Sequence, residues 1–146
     1  MIPPFDENGN LPPGVHDATW DELEERFGGN KTRKKQLRGL RLALDDLKRA
    51  GCSIVYIDGS FVSEKEKPGD FDGCWEADGV NWDDLHPALR KLTVPRASQK
   101  KRYGGELVIA DSPSEPFGPA YLEFFQQDGR SGAAKGIIRV SLKELR

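Results

Sequence analysis

The sequence predicts an α+β fold in which helices pack on a small mixed sheet. Three observations lead to this fold class: apolar residues recur at helical spacing over 31–50, β-branched and aromatic runs bounded by glycine have the character of strands, and the two kinds of segment alternate along the chain. With 146 residues, of which 36% are hydrophobic and 32% charged, the chain has the length and composition of one globular domain. We therefore treat residues 1–146 as a single domain.

The first third of the chain predicts an extended arm followed by two helices. Residues 1–18 contain four prolines and two glycines, so we expect a turn-rich arm without regular structure. The sequence TWDE at 19–22 has the pattern of a capping box and predicts a short helix that stops at Gly28. Leucines spaced three or four residues apart predict a longer helix over 31–50. The basic run at its start, 31–35, is typical of a solvated helix face.

Four short segments have the character of strands because they are apolar or β-branched and are bounded by residues that favour turns. They are 53–58, 70–76, 106–111 and 136–142. We expect two further short helices, one with Pro87 in its first turn and one over 119–127. The basic stretch at 98–105 is expected to form a solvated turn, and a clamp for an RNA or a partner protein is the alternative.

Composition argues against several classes of function. The 22 basic and 24 acidic residues give a net charge of −2, so no overall field attracts nucleic acid, and we do not expect binding to duplex DNA. Cys52 and Cys74 lack the spacing of zinc ligands and are expected to be reduced, buried thiols. His16 and His86 have no nucleophile context, so a hydrolase triad has no support. There is no signal peptide and no run of about 18 apolar residues, so we expect a cytoplasmic protein that does not enter the membrane.

The stretch GSFVSEKEKPGDFDG at 59–73 carries the strongest functional signal. Asp70 and Asp72 would share one face of a strand, where two ionised carboxylates repel by about 2–4 kcal/mol at an effective dielectric constant of about 20. Solvent, a nearby lysine or a divalent cation can offset that repulsion, and a carboxylate pair suits Mg²⁺. The turn at Gly59 and Ser60 combines a backbone that can approach a phosphate with amide and hydroxyl donors.

Three lysines are candidate ligands for nucleotide phosphates. Lys65 and Lys67 lie between the turn and the acid pair, where Glu64 and Glu66 are alternative partners for them. Lys135 lies between small residues in GAAKG and is a candidate anion contact.

The motif resembles the signature of the nucleotidyltransferases of the DNA polymerase β superfamily, especially its small stand-alone members: "GS" followed after nine residues by "DxD", each preceded by a predicted strand. The segments LPPGVHDATWDE, YGGEL and FFQQDGRSGAAKGIIRV extend the resemblance to a bacterial subgroup over nearly the whole chain. The resemblance implies a nucleotidyltransferase-like fold with a nucleoside triphosphate (NTP) held on Gly59 and Ser60. It also implies two Mg²⁺ ions bound by Asp70, Asp72 and a third acid from a neighbouring strand.

Glu106 and Asp111 are the alternatives for the third acid. Their odd separation places them on opposite faces of a regular strand, so at most one of them joins the pair. Glu106 is favoured because it follows two glycines, which leave room for a ligand, and because the subgroup carries the same GGE. Asp111 is expected in a turn before Pro113.

These features predict a Mg²⁺-dependent enzyme that moves a nucleoside monophosphate from an NTP to a hydroxyl of a protein or RNA acceptor. Asp70, Asp72 and Glu106 would be its catalytic residues and metal ligands. The same resemblance supports an alternative from another class. In that alternative the chain is a catalytically weak or inactive binding module with this fold, acting as one half of a bacterial toxin-antitoxin or phage-defence pair.

Overall fold

A five-stranded mixed sheet with helices on it forms the architecture in the computed structural model, which describes residues 1–129 and 131–146. In chain order the strands are β1 (Gly14–Asp17), β2 (Ile54–Asp58), β3 (Phe71–Trp75), β4 (Gly105–Ile109) and β5 (Gly136–Ser141). The α-helices of the described chain are α1 (Trp20–Phe27), α2 (Lys31–Arg49), α3 (Ala97–Tyr103) and α4 (Tyr121–Phe124). The predicted α+β class with a small mixed sheet is confirmed.

The strand order is β1-β5-β2-β3-β4, with β2 at the centre. β2 pairs antiparallel with both β3 and β5, whereas the outer pairs β3–β4 and β1–β5 are parallel. The four predicted strands are all present, with ends that differ from the predicted ones by at most two residues.

The N-terminal arm contributes the fifth strand, which corrects the expectation of no regular structure over 1–18. Gly14–Asp17 pairs with the start of β5, and the N–H of Gly136 donates to the carbonyl of Leu11 at 3.0 Å. Leu11 is fully buried, so the arm is anchored to the domain. The prolines stop a long strand from forming, but they leave free the short stretch that pairs at the edge of the sheet.

The first two helices form as their patterns predict. Thr19 and Glu22 make the capping box of α1, and Asn30 caps α2 by accepting from the N–H of Arg33 at 2.9 Å. The leucine stripe of α2 is buried against the sheet.

Two later segments differ from expectation. The helix expected at Pro87 is a 3₁₀ turn, Pro87–Arg90, with the proline in its first position. The solvated turn expected over 98–105 is instead helix α3, which buries Gln99 and Tyr103 one turn apart and ends at Gly104 in the left-handed conformation. The spacing of these two residues was the signal for a helix.

The sheet has a hydrophobic cluster on each face. The larger one contains the inward residues of α1 and α2 together with Val55, Ile57 and Trp75. The smaller one lies on the opposite face, where Tyr56 and Cys74 pack near the short helix α4. Both cysteines of the chain are free and buried, as predicted. Among the described residues, the helices are too short or too polar to cross a membrane.

The side chain of Gln99 forms a hydrogen bond with the backbone at the outer edge of β4, where no further strand pairs. It is fully buried, and its Oε1 accepts from the backbone N–H of Leu107 at 2.6 Å. Its Nε2 donates to the carbonyl of Lys91 at 3.2 Å. An edge-strand donor that would otherwise be buried without a partner is therefore paired.

Candidate active site

Three carboxylates lie side by side on three adjacent strands at one end of the sheet. Asp58 ends β2 and pairs with Asp72 of β3, and Asp72 in turn pairs with Glu106 of β4. Residues directly opposite each other point to the same face, with Cβ atoms about 4.5–5.5 Å apart. This set of acids, Asp58, Asp72 and Glu106, is called the acid row below.

Asp70 joins this region from the loop. β3 starts at Phe71, so Asp70 lies one residue before the strand that contains Asp72. The two acids are nevertheless close enough for the charge of Asp70 to raise the pKa of Asp72. The DxD motif therefore brings both acids to one place through a strand end and the loop before it.

Burial and mutual repulsion act together on the acid row. The pKa of Asp72 rises from 3.8 to about 6, first because the carboxyl is buried and then because Asp70, Asp58 and Glu106 surround it with negative charge. Burial also raises the pKa of Asp58 and of Asp70. The site thus holds several like charges in a poorly solvated place, an arrangement that a bound cation would stabilise.

Asp58 is a member of the site that sequence reasoning missed. Its side chain is 6% exposed, and its Oδ1 lies 3.0 Å from Nζ of Lys135. That oxygen accepts no well-directed hydrogen bond from the described residues despite the ion pair. The available signal was an aspartate that ends an apolar strand directly before the Gly-Ser turn.

The Gly59–Ser60 turn lies directly against the DxD motif. Gly59 has a φ of 89°, and a Cβ built on it would be 2.9 Å from the backbone nitrogen and 3.3 Å from Oδ2 of Asp72. A larger residue would push the turn away from the acids. Glycine therefore gives this position both its backbone conformation and its close contact with Asp72.

A buried arginine fixes the loop that follows the turn. Arg33 of α2 donates to the carbonyls of Phe61 at 2.7 Å, Ser63 at 2.6 Å and Lys65 at 2.6 Å. Its side chain is buried, so the solvated face expected over 31–35 is wrong at this position. An internal arginine in the basic run could not be recognised without knowing which loop packs on the helix.

The predicted phosphate ligands do not all line the same cleft. Gly59, Ser60, Lys65 and Lys135 line one cleft of about 610 Å³, which the N-terminal arm closes on one side. Lys67 is exposed outside that cleft. In the described chain, neither loop lysine forms an ion pair with the neighbouring glutamates.

Glu106 is balanced by an arginine that the sequence did not point to. Nη1 of Arg96 lies 3.5 Å from Oε1 of Glu106, and Nη2 of Arg96 donates to the hydroxyl of Tyr121 at 3.1 Å. Asp111 is in an exposed turn beyond the opposite end of β4. Of the two alternatives for the third acid, Glu106 is the one next to Asp72.

The donor chemistry of the site fits a magnesium ion. Hard divalent cations prefer carboxylate oxygens, and the acid row supplies them from adjacent strands. Within the described residues, no three acidic, histidine or cysteine side chains are already arranged around one point. Ion binding at this site would therefore involve rotation of these side chains.

Comparison with known proteins identifies the family of the chain. No curated protein and no solved structure matches it. A family model does match, over residues 3–141, and therefore includes the turn, the acid row and Lys135. On this match, the chain belongs to a family of unknown function (DUF6932).

Proposed function

We propose that the protein is a Mg²⁺-dependent nucleotidyltransferase with a nucleotidyltransferase-like fold. In this proposal it moves a nucleoside monophosphate from an NTP to a hydroxyl of an acceptor. The observation that carries the proposal is the placement of the Gly59–Ser60 turn against Asp72, which is itself paired in register with Glu106. A phosphate-binding turn and a row of metal-binding carboxylates are the two parts that phosphoryl transfer from an NTP needs.

Each part of the site has a role in this proposal. Asp70, Asp72 and Glu106 would hold the metal ions, which supply positive charge to the triphosphate and lower the pKa of the attacking hydroxyl. The backbone amides and the hydroxyl of the half-buried Gly59–Ser60 turn would bind the β- and γ-phosphates.

The transfer step balances without any further reagent. The acceptor oxygen forms a bond to the α-phosphorus, the bond from that phosphorus to the bridging oxygen breaks, and pyrophosphate leaves with the electron pair. Glu106 would take the proton of the acceptor hydroxyl, and Lys135, in the same cleft as the turn, would offset charge on the departing pyrophosphate.

Calorimetry tests the proposal directly. Mg²⁺ with ATP, GTP, CTP or UTP is titrated into the wild type and into the Asp70→Asn/Asp72→Asn variant, with Asp83→Asn/Asp84→Asn as a control that removes two exposed acids. We expect metal-dependent binding of at least one nucleotide to the wild type and to the control, and its loss in the first variant. Absence of binding to the wild type, or equal binding to all three proteins, would refute the proposal.

The second candidate is a binding module with little or no turnover, one half of a toxin-antitoxin or phage-defence pair. The ion pair of Arg96 with Glu106 favours it, because an arginine already neutralises the acid that would complete the metal site. Transfer of label from α-³²P-NTP to a co-expressed partner protein separates the two: labelled acceptor supports the enzyme, and nucleotide binding without transfer supports the module.

A further inference from the structure

A basic groove runs between α2 and α3 and begins beside the DxD motif. Its volume is about 640 Å³, and none of the described residues that line it is acidic. The cations along it come from both helices: Lys35, Arg38, Lys100, Lys101 and Arg102. This set, with the space between the helices, is called the basic groove.

Four of the five cations are available to a ligand. Arg102 is held by the buried carboxylate of Asp46, with Nε 3.0 Å from Oδ2, and so belongs to the framework. The other four are exposed, and within the described chain none of these four forms a salt bridge. Their charge is not used to stabilise the fold by ion pairing.

Helix electrostatics explains only one wall of the groove. Lys100 and Lys101 lie in the last turn of α3, where cations interact favourably with the helix dipole. On α2 the situation is reversed, because its first turn is basic and contains no acid. Lys35 and Arg38 lie beyond that turn, so the helix dipole does not explain their charge. A binding role accounts for this second cationic wall.

The groove leads towards the acids. Pro68 and Gly69 line its end, and Asp70 is the next residue along the chain. Gln36 donates to the carbonyl of Pro68 at 2.7 Å, which anchors that end to α2. Lys100 is near enough to Asp70 that its charge opposes the rise in the pKa of that carboxyl. A strand lying in the groove would therefore reach Asp70, at the edge of the candidate site, at one end.

We propose that the basic groove binds the phosphate backbone of a single-stranded RNA and delivers the terminal hydroxyl of that RNA to the acids. The second part, in which the hydroxyl is the acceptor, rests on the proposed function. The unpaired cations on two walls match phosphates that repeat along a strand. Leu42, 37% exposed at the groove, provides apolar surface for a sugar or base. The lining comes mainly from two helices and contains no acid among the described residues, which suits a narrow polyanion lying between them.

Fluorescence anisotropy with a 5′-labelled, unstructured RNA of about 12 nucleotides tests this inference. Four contacted phosphates predict a loss of affinity of roughly 50-fold between about 50 mM and about 200 mM salt. We expect Lys100→Gln/Lys101→Gln and Lys35→Gln/Arg38→Gln, one pair per wall, each to weaken binding by about tenfold and to flatten the salt dependence. The control Lys143→Gln/Arg146→Gln removes two exposed cations elsewhere and should bind as the wild type does.

The outcomes separate this inference from the proposed function. Unchanged binding in both groove variants, or competition by polyglutamate as effective as that by unlabelled RNA, would overturn the RNA groove. Binding of Mg²⁺-NTP without binding of RNA would overturn it too, while leaving the nucleotidyltransferase proposal intact. RNA binding that depends on both walls, in a protein that binds no nucleotide, would support the groove and refute the nucleotidyltransferase.

Discussion

Asp58 and Asp72 face each other across β2 and β3, so two carboxylates occupy one cross-strand pair at the end of the sheet. Like charges placed directly opposite each other destabilise a sheet. Lys135 compensates Asp58 through an ion pair at 3.0 Å, whereas Asp72 has only acids as its strand neighbours at this position. The ionised side chain of Asp72 is therefore electrostatically unfavourable in the folded protein, and its replacement is a sensitive test of the repulsion among these acids.

We expect Asp72→Asn to stabilise the protein at neutral pH when no divalent ion is present. The folded-state pKa of Asp72 is raised from 3.8 to about 6, so the folded protein binds the proton more tightly than the unfolded chain does. Its contribution to stability is complete below the unfolded pKa and is lost as pH rises through about 6. At about pH 7.5 the variant should gain about 1–3 kcal/mol, and below about pH 4 the gain should disappear.

Urea denaturation at the two pH values measures this difference, with Asp83→Asn as an exposed control. Loss of stability in Asp72→Asn at neutral pH, or a gain that does not change with pH, would contradict the electrostatic description of the acid row.

Lys135→Met should destabilise the protein by about 3 kcal/mol, because it leaves the buried carboxylate of Asp58 without its compensating charge. Adding Asp58→Asn should restore most of that loss, since the double variant buries no unpaired charge. A double-mutant cycle by chemical denaturation gives the coupling energy between the two residues. If the two substitutions change the free energy of unfolding additively, the pair is not coupled. Lys143→Met is the control for removal of an exposed lysine.

Gly59→Ala should cost about 1–3 kcal/mol and weaken any nucleotide binding. The φ of 89° is strained for alanine, and its Cβ would lie 2.9 Å from the backbone nitrogen of Asp72. The matched control is Gly69→Ala, because a Cβ there meets no atom within 4 Å. Thermal melts of the two variants provide the comparison, and equal melting temperatures would mean that the close contact at Gly59 is unimportant.

Arg33→Met should loosen the loop after the Gly-Ser turn. The amides of Ser63 and Glu64 donate to the carbonyls of Ser60 and Gly9, and Arg33 holds the same segment from the other side. The amide hydrogens of Ser63 and Glu64 should exchange with solvent about tenfold faster in the variant. Lys34→Met, next to it on the exposed face, should leave the exchange unchanged. Faster exchange of these amides in both variants would point to a general loss of helix stability instead.

Asp46 should make the protein more sensitive to acid. Burial alone would raise the pKa of this carboxyl, but hydrogen bonds from Arg102 and from the hydroxyl of Tyr103 outweigh it and leave the pKa lowered. Such a group stabilises the fold above its unfolded pKa of 3.8, and the contribution is lost as pH falls through the folded pKa. Asp46→Asn should therefore cost about 2 kcal/mol at about pH 7 and progressively less below about pH 4. A cost that stays constant in acid would contradict this.

Local patterns along the chain were enough to predict most of the fold. The capping box, the leucine stripe and the apolar strand before Gly59 all depend on neighbours in sequence, and the corresponding elements form as expected. The arm was harder, because a strand of four residues is stable only through its pairing with β5. Helix α3 was missed because its charged surface masked the spacing of two buried residues.

Some residues of the candidate site could likewise be predicted from local motifs, and others could not. The turn, the DxD motif and Glu106 were recognisable from short motifs. The roles of Asp58, Arg33 and Arg96 depend on contacts between segments that are far apart in the sequence, such as the ion pair of Asp58 with Lys135. Charge type alone could not distinguish the buried Arg33 from the exposed lysines beside it.

Gln99 has a consequence for how copies of this protein meet. Its carboxamide takes the place of an incoming peptide group in the middle of β4, at the one flank of the sheet that the arm does not border. A neighbouring molecule that tried to add its own strand there would first have to displace a fully buried side chain. Gln99 therefore opposes the addition of a further strand at the β4 edge.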